Sequence, residues 1–543
     1  MKNRLLILFL ISVAAGIAFY AGCGGGSETT ITAAAPPEIS AKYWVSSSEG
    51  SDTNPGDIKF PFATIGKGVS EAVATGGVDS VFVVAGTYHE NVVIGDAAGY
   101  YGIALYGGYG AYNAVTESRP RDIVANVTQV DKITIDGSAG APLNSSEAVV
   151  EGFLVSHVSS LNASPTIKSN RILYDAPLCS NVRAALLLVS SASAVSQPVI
   201  SENVIDNVSC LGSINEIVGV ELSSAGTSQL KPQLRTNQIT GGSGVTAATH
   251  AIGLLGRAAD TSTLELSLVS NTIMSGTSVD YAAAINLWAD SATAVASLVA
   301  LSNDIRAGSA AQGFGLDLGF DSISDLTVSF TMADLQRNKI FGGTNCIFSA
   351  GVSVAGATGV SSIANNFVSA GKSTQLLAFQ EGIRLDMADA DIVNNTLVAE
   401  TGDTAYMIDM VEQTAATTIE NNILFVSAAN AGGVLSGILE AVDTSPASVK
   451  NNLFDDSLDI VYSSSFGGFG DLLSVGDLAV SYPVYTDNIE GASNLVDPAN
   501  LDLHIGAGSA AIDAANGSAQ VIDYDGDSRP QGAAIDIGAD EMM

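Results

Sequence analysis

Short alternating segments of this chain carry side chains whose types could do chemistry together. Asp317, Arg384 and Asp409 stand between apolar residues in Leu316-Asp317-Leu318, Ile383-Arg384-Leu385 and Ile408-Asp409-Met410. Trp288, Asp290, Asp321 and Asp386 continue the same alternation two or four residues further along their segments. In a strand, alternation turns such residues to the face opposite the apolar ones. Clustered carboxylates suit Ca2+, which takes oxygen ligands, and an indole such as Trp288 suits stacking on a sugar ring. Arg384 beside Asp386 sets a cation next to an acid. The plain alternative is a solvated acidic face that blocks edge association and keeps the molecule soluble. A second acidic set, Asp523, Asp525 and Asp527, has the spacing of a small Ca2+ loop but lacks the following Glu of an EF-hand, so a turn competes with it. No Walker loop, G-x-S-x-G or H-E-x-x-H motif is present, and the four histidines read as surface or turn residues.

The elements that would position these residues repeat. From Asn170 onward, Asn followed two residues later by an apolar side chain returns at 203, 237, 271, 303, 338, 366, 395, 422 and 452. The spacings are 33, 34, 34, 32, 35, 28, 29, 27 and 30 residues, the signature of a repeat architecture. Each copy holds short alternating segments separated by Gly, Ser and Asp, and no sustained helical period, so the repeats predict stacked β-coils. A buried Asn at each turn can donate to one coil and accept from the next, and Asn also tolerates a left-handed turn backbone.

Composition agrees. The 543 residues include 56 acidic and 21 basic side chains, a net charge of −35, with only 14% charged and 47% hydrophobic residues. Such a chain is too apolar for disorder and too acidic for nucleic-acid binding. Residues 1–22 read as a signal peptide: Lys2 and Arg4, an apolar run, then Tyr20-Ala21-Gly22 before Cys23. That ending resembles a bacterial lipoprotein signal, which implies lipidation of Cys23, export, and an outer-membrane or cell-surface location. Losing Lys2 and Arg4 would take the charge to −35 − 2 = −37. Residues 23–40 read as a flexible tether. Cys179 and Cys210 fall at nearly the same place on adjacent coils and predict a disulfide, with Cys346 free and buried.

Two end segments carry a family likeness. Residues 43–94 open with Y-W-V-S and G-S-D-T-N-P-G, continue with P-F-A-T-I, and close with V-F-V-V-A-G-T-Y-H-E-N-V. This resembles the N-terminal segment of right-handed parallel β-helix proteins of the pectin-lyase-like superfamily. Ile65, Val69, Ala72 and Val73 would form one face of a short helix, capped by Thr64 and stopped by Gly76-Gly77, that plugs the first coil. Residues 506–541 resemble the choice-of-anchor Q segment that closes many bacterial surface β-helix proteins, with Asp540 where Tyr is usual. The resemblance implies an all-β, right-handed parallel β-helix over residues 41–460, clearest over 170–454, with a closing segment over 461–543. The fold hosts lyases, hydrolases and adhesins alike. The expected role is non-catalytic, in binding, adhesion or structure, for a lipid-anchored surface protein that meets the membrane through its lipid and a polysaccharide or another surface partner. The alternative is a polysaccharide lyase or glycoside hydrolase acting on an acidic polysaccharide with Ca2+. In pectate-lyase-like enzymes Ca2+ neutralises a uronate and an Arg or Lys removes the C5 proton, a part that Arg384, with Asp386 and Asp317, could imitate.

Overall fold

The computed structural model describes residues 41–542, except 76–78, 96–101, 138–147, 176–182, 209–215, 243–247, 322–325, 328–329, 376, 401–402, 413–415, 428–432, 442–444, 465–469 and 519. Cys23, Cys179 and Cys210, with the lipidation and disulfide expected of them, lie outside the described residues, as do Gly76, Gly77 and the Asp321 side chain.

The chain winds as a right-handed parallel β-helix with three walls. Each coil runs from a long third-wall strand such as Tyr281–Ala289, through a first-wall strand such as Val295–Leu301, round the Asn turn into a second-wall strand such as Asp304–Arg306. Like strands pair in parallel from coil to coil, as in Ile239↔Ile273↔Ile305↔Ile340↔Val368↔Leu397↔Leu424. These residues point inward and form one continuous apolar core with Leu254, Ile285, Leu316, Val352, Ile383 and Ile408 of the third wall. Parallel pairing buries them on both strand neighbours, which explains the run of Ile, Leu and Val at fixed coil positions.

The Asn turns form a ladder. Asn271 donates through its backbone N–H at 2.8 Å and its Nδ2 at 3.0 Å to the Oδ1 of Asn303. Asn303 repeats both bonds to Asn338. The ladder extends to an eleventh rung, Asn488, which accepts from Asn452 across a 36-residue separation. The left-handed backbone is carried by the residue before each rung: Ser169, Glu202, Thr236, Ser270, Ser302 and Arg337 all have positive φ. The rungs themselves are buried amides.

Both ends are closed. The helix Ile65–Thr75 buries Ile65, Val69 and Ala72 against the first strands, and Val73 packs beside them. Thr64 Oγ1 caps it by accepting from Lys67 N at 3.2 Å. The Glu90 carboxylate takes the Ile65 and Gly66 N–H groups at 2.9 and 2.8 Å, where a negative charge suits the helix dipole. At the other end Leu472, Leu478 and Tyr485 join the core. The chain then folds back along the second wall. Leu501, Leu503 and Ala539 pack on Phe367 and Val398, while Ile505, Ala511 and Ile537 pack on Ile423 and Leu453. The closing segment is therefore a strap along the rod as well as an end cap. Among the described residues no helix is long and apolar enough to cross a membrane.

Candidate functional site

The third wall brings the alternating residues into one column. Glu221, Leu255, Asn286, Asp317, Ser353, Arg384 and Asp409 are direct register partners on successive strands, about 4.8 Å apart per step. They point away from the core, as the alternation requires. They are not a solvated face, however. Asp317 and Asp409 are buried, and so is Asn286. A short antiparallel hairpin, Phe320–Asp321 with Leu326–Thr327, interrupts the repeat. Asn286 Nδ2 donates to Phe320 O at 2.9 Å and to Asp317 O at 3.1 Å.

Trp288 lies under the same cover. It is 2% exposed and packs with Leu255, Tyr281 and Phe314 in a second apolar cluster outside the main core. Among the described residues its indole Nε1 has no hydrogen-bond partner. The expectation that Trp288 stacks on a sugar is corrected: its faces are spent in packing. Asp290 is exposed and pairs with Arg257, whose Nε lies 3.1 Å from Asp290 Oδ2. Glu221 is taken by Arg183 in a two-pronged bridge at 2.8 and 3.0 Å. These acids stand apart from the residues that converge further along the wall.

Those residues line an open cleft of about 270 Å³: Gln312, Phe314, Asp317, Phe320, Phe348, Ser353, Arg384 and Asp386. Asp317 accepts the Tyr281 hydroxyl at 2.6 Å. Burial pushes its carboxyl up to about 7, against the opposing pull of Tyr281, Ser353 and the Arg384 charge. Arg384 reaches Glu381 and Asp386, each at 3.4 Å, and stands 4.0 Å from Asp409. It also lies over the Phe348 ring, 5.7 Å from its centre. Burial works against the Arg384 charge, but Glu381, Asp409 and Asp386 outweigh it and raise its pKa. Burial, then the neighbouring Asp409 carboxyl, holds Glu381 well above the usual carboxylate range. Glu381 and Asp409 bond to each other, and burial raises both carboxyls, the arrangement of two acids that share a proton.

An aromatic ladder absent from the sequence reading reaches the cleft through Phe314 and Phe348. Tyr281, Phe314, Phe348, Phe379 and Tyr406 form this ladder, with centres 5.4, 5.5, 5.9 and 5.2 Å apart. Their signal was present: aromatic residues recur at the coil period. Glu381 was visible only as a charge beside an apolar strand.

The C-terminal acids do not form a loop around one point. Asp523 Oδ1 accepts the Gly526 and Asp527 N–H groups at 2.9 and 2.8 Å, which makes it a turn residue. Asp525 faces His504, and the grouping that forms there is His504, Asp525 and Asp540. His157 is buried rather than at the surface, held by Ala184 O at 3.1 Å and pushed down to about 4 by burial. Cys346 is a buried free thiol.

No protein-family model and no curated protein matches the chain. Among solved structures it is similar to XylC in complex with xylose, at 10% identity and a TM-score of 0.42, covering 92% of this chain and 98% of that one. It is also similar to pectate lyase Pel9A, at 12% identity and a TM-score of 0.36, covering 93% and 96%. Likenesses this weak transfer no activity; the β-helix rests on this chain's own strand register.

Proposed function

We propose that this protein is an exported, lipid-anchored surface rod that binds a neutral, hydroxyl-rich saccharide in the third-wall cleft without cleaving it. The observation that carries the reading is the mixed lining of that cleft. Rings of Phe320 and Phe348 supply apolar surface for sugar C–H faces, and Gln312, Ser353, Arg384 and Asp386 supply donors and acceptors for hydroxyls. Arg384 already faces three carboxyls, so the cleft has little positive charge to spare for a uronate. The same acids raise the Arg384 pKa, the opposite of what a C5-proton acceptor needs. That argues against the lyase alternative. Export, the Cys23 lipid and the cell-surface location rest on the N-terminal sequence pattern, and Cys23→Ala would release the protein from membranes.

One observation favours a second reading, glycoside hydrolysis. Asp317 lines the cleft with a carboxyl at about 7, in the range that suits a general acid. A panel of neutral and acidic oligosaccharides separates the readings. Binding to a neutral glycan, at least tenfold weaker in Arg384→Ala, with no reducing ends released, supports the proposal. Released ends that disappear in Asp317→Asn would replace it with hydrolysis.

A further inference from the structure

Away from the cleft, the strap along the second wall draws together side chains from three separate segments. His504 comes from the strand Asp502–Ile505, Asp525 from the turn after Asp523, and Asp540 from the chain's last residues. One ligand atom from each lies within 4.8 Å of the others. His504 Nδ1 faces Asp502 Oδ1 in a short contact, and Nε2 faces Asp525 Oδ2 at 3.0 Å.

Both ring nitrogens therefore meet carboxylate oxygens. With its proton on Nδ1 toward Asp502, the imidazole can offer Nε2 to a metal ion beside the Asp525 carboxylate; doubly protonated, it would donate to both acids. Asp540 adds a third negative group from a nearly buried position, 7% exposed, with Oδ2 fixed by Ile505 N at 2.9 Å. The rings of Phe367 and Tyr524 stand 5.0 and 6.0 Å from the imidazole and wall the site on one side.

We propose that this cluster binds a divalent transition-metal ion of the zinc type. His504 Nε2, Asp525 and Asp540 are the ligands, with Asp502 as the outer carboxylate that fixes the histidine tautomer. An imidazole nitrogen with two carboxylates suits Zn2+ better than Ca2+, which prefers an all-oxygen shell of six or more ligands. A carboxylate on the far ring nitrogen is the usual support for a metal-bound histidine. Zinc bonds of about 2.0–2.2 Å set tetrahedral ligand atoms about 3.4 Å apart, so Asp525 must draw back slightly from its 3.0 Å contact with Nε2, and its half-exposed side chain (51%) has room to move. The bound ion ties strand, turn and tail together and so fastens the strap on the rod. The competing occupant is a second proton, which would make His504 an imidazolium between its acids.

The test uses the full chain, stripped with chelator and then equilibrated with Zn2+ or Co2+. About one zinc per chain should survive gel filtration, and Co2+ should give the visible bands of a four-coordinate site. Asp525→Asn lies on an exposed turn and should keep the circular dichroism of the parent while losing both signals. Asp502→Asn should weaken affinity by about tenfold or more. Failure of the parent to retain zinc, or equal retention by Asp525→Asn, would overturn the proposal in favour of the imidazolium.

Discussion

Two columns of stacked residues, the Asn ladder from Asn170 to Asn488 and the third-wall column from Glu221 to Asp409, are built differently. The Asn ladder repeats one chemistry, and each of its rungs is served: Asn303 takes two bonds from Asn271 and gives its amide to Leu268, Leu301 and Asn338. The third-wall column changes chemistry at every coil, from Glu221 to Asn286, Asp317, Ser353, Arg384 and Asp409. Around it, Asn286 Oδ1 and Trp288 Nε1 are buried without partners among the described residues. Buried polar atoms cost free energy unless paired. Where every coil needs the same thing, the residue repeats and its bonds close. Where residues differ and bonds stay open, the wall is shaped for something other than stacking.

The largest expected effect breaks the first column. Asn303→Ala removes the acceptor of two bonds donated by Asn271 and leaves buried carbonyls unserved, and should destabilise by about 3–5 kcal/mol, read as a shift in the denaturation midpoint. A cost below about 1 kcal/mol would mean the ladder is not what binds the coils.

The next is a pH effect in the second column. A carboxyl at about 7 in the folded chain against 3.8 unfolded means the native state holds the proton more tightly. Stability should therefore fall as pH rises from about 4 to about 7 and level off above. Asp317→Asn removes that slope and should be more stable than the parent at pH 8, by an amount on the order of 3 kcal/mol. Parallel stability–pH curves for the two proteins would contradict the assignment.

Smaller still is the contribution of single cleft groups to binding. Phe348→Ala should weaken a neutral glycan by about tenfold, or 1.4 kcal/mol, in titration calorimetry. Smallest is Asp290→Asn, which breaks an exposed pair with Arg257 and should change stability by less than about 1 kcal/mol. Glycan binding should not change, because Asp290 stands outside the cleft.

The contrast also explains what could be read in advance. The β-helix, its register and the capping helix were legible because coils with the same demand carry the same residue. The eleventh rung, Asn488, was hidden by the insertion of the end cap before it. The left-handed positions were hidden because Ser, Glu, Thr, Arg and Asn all occupy them. Asp317, Arg384, Asp386 and Asp409 were legible as neighbours, since alternation and period place them. The burial of Asn286 and Trp288 was not, because Phe320, which packs there, comes from a hairpin outside the repeat. The His504 cluster depends on the strap folding back, a long-range contact with no periodic trace.

The central claim is that the third-wall cleft is where this rod meets its ligand. A crystal structure of the full chain soaked with the tightest-binding neutral oligosaccharide tests it most directly. A sugar ring should lie against Phe348 with its hydroxyls on Arg384 and Asp386. A sugar seated elsewhere on the rod, with those side chains untouched, would contradict it.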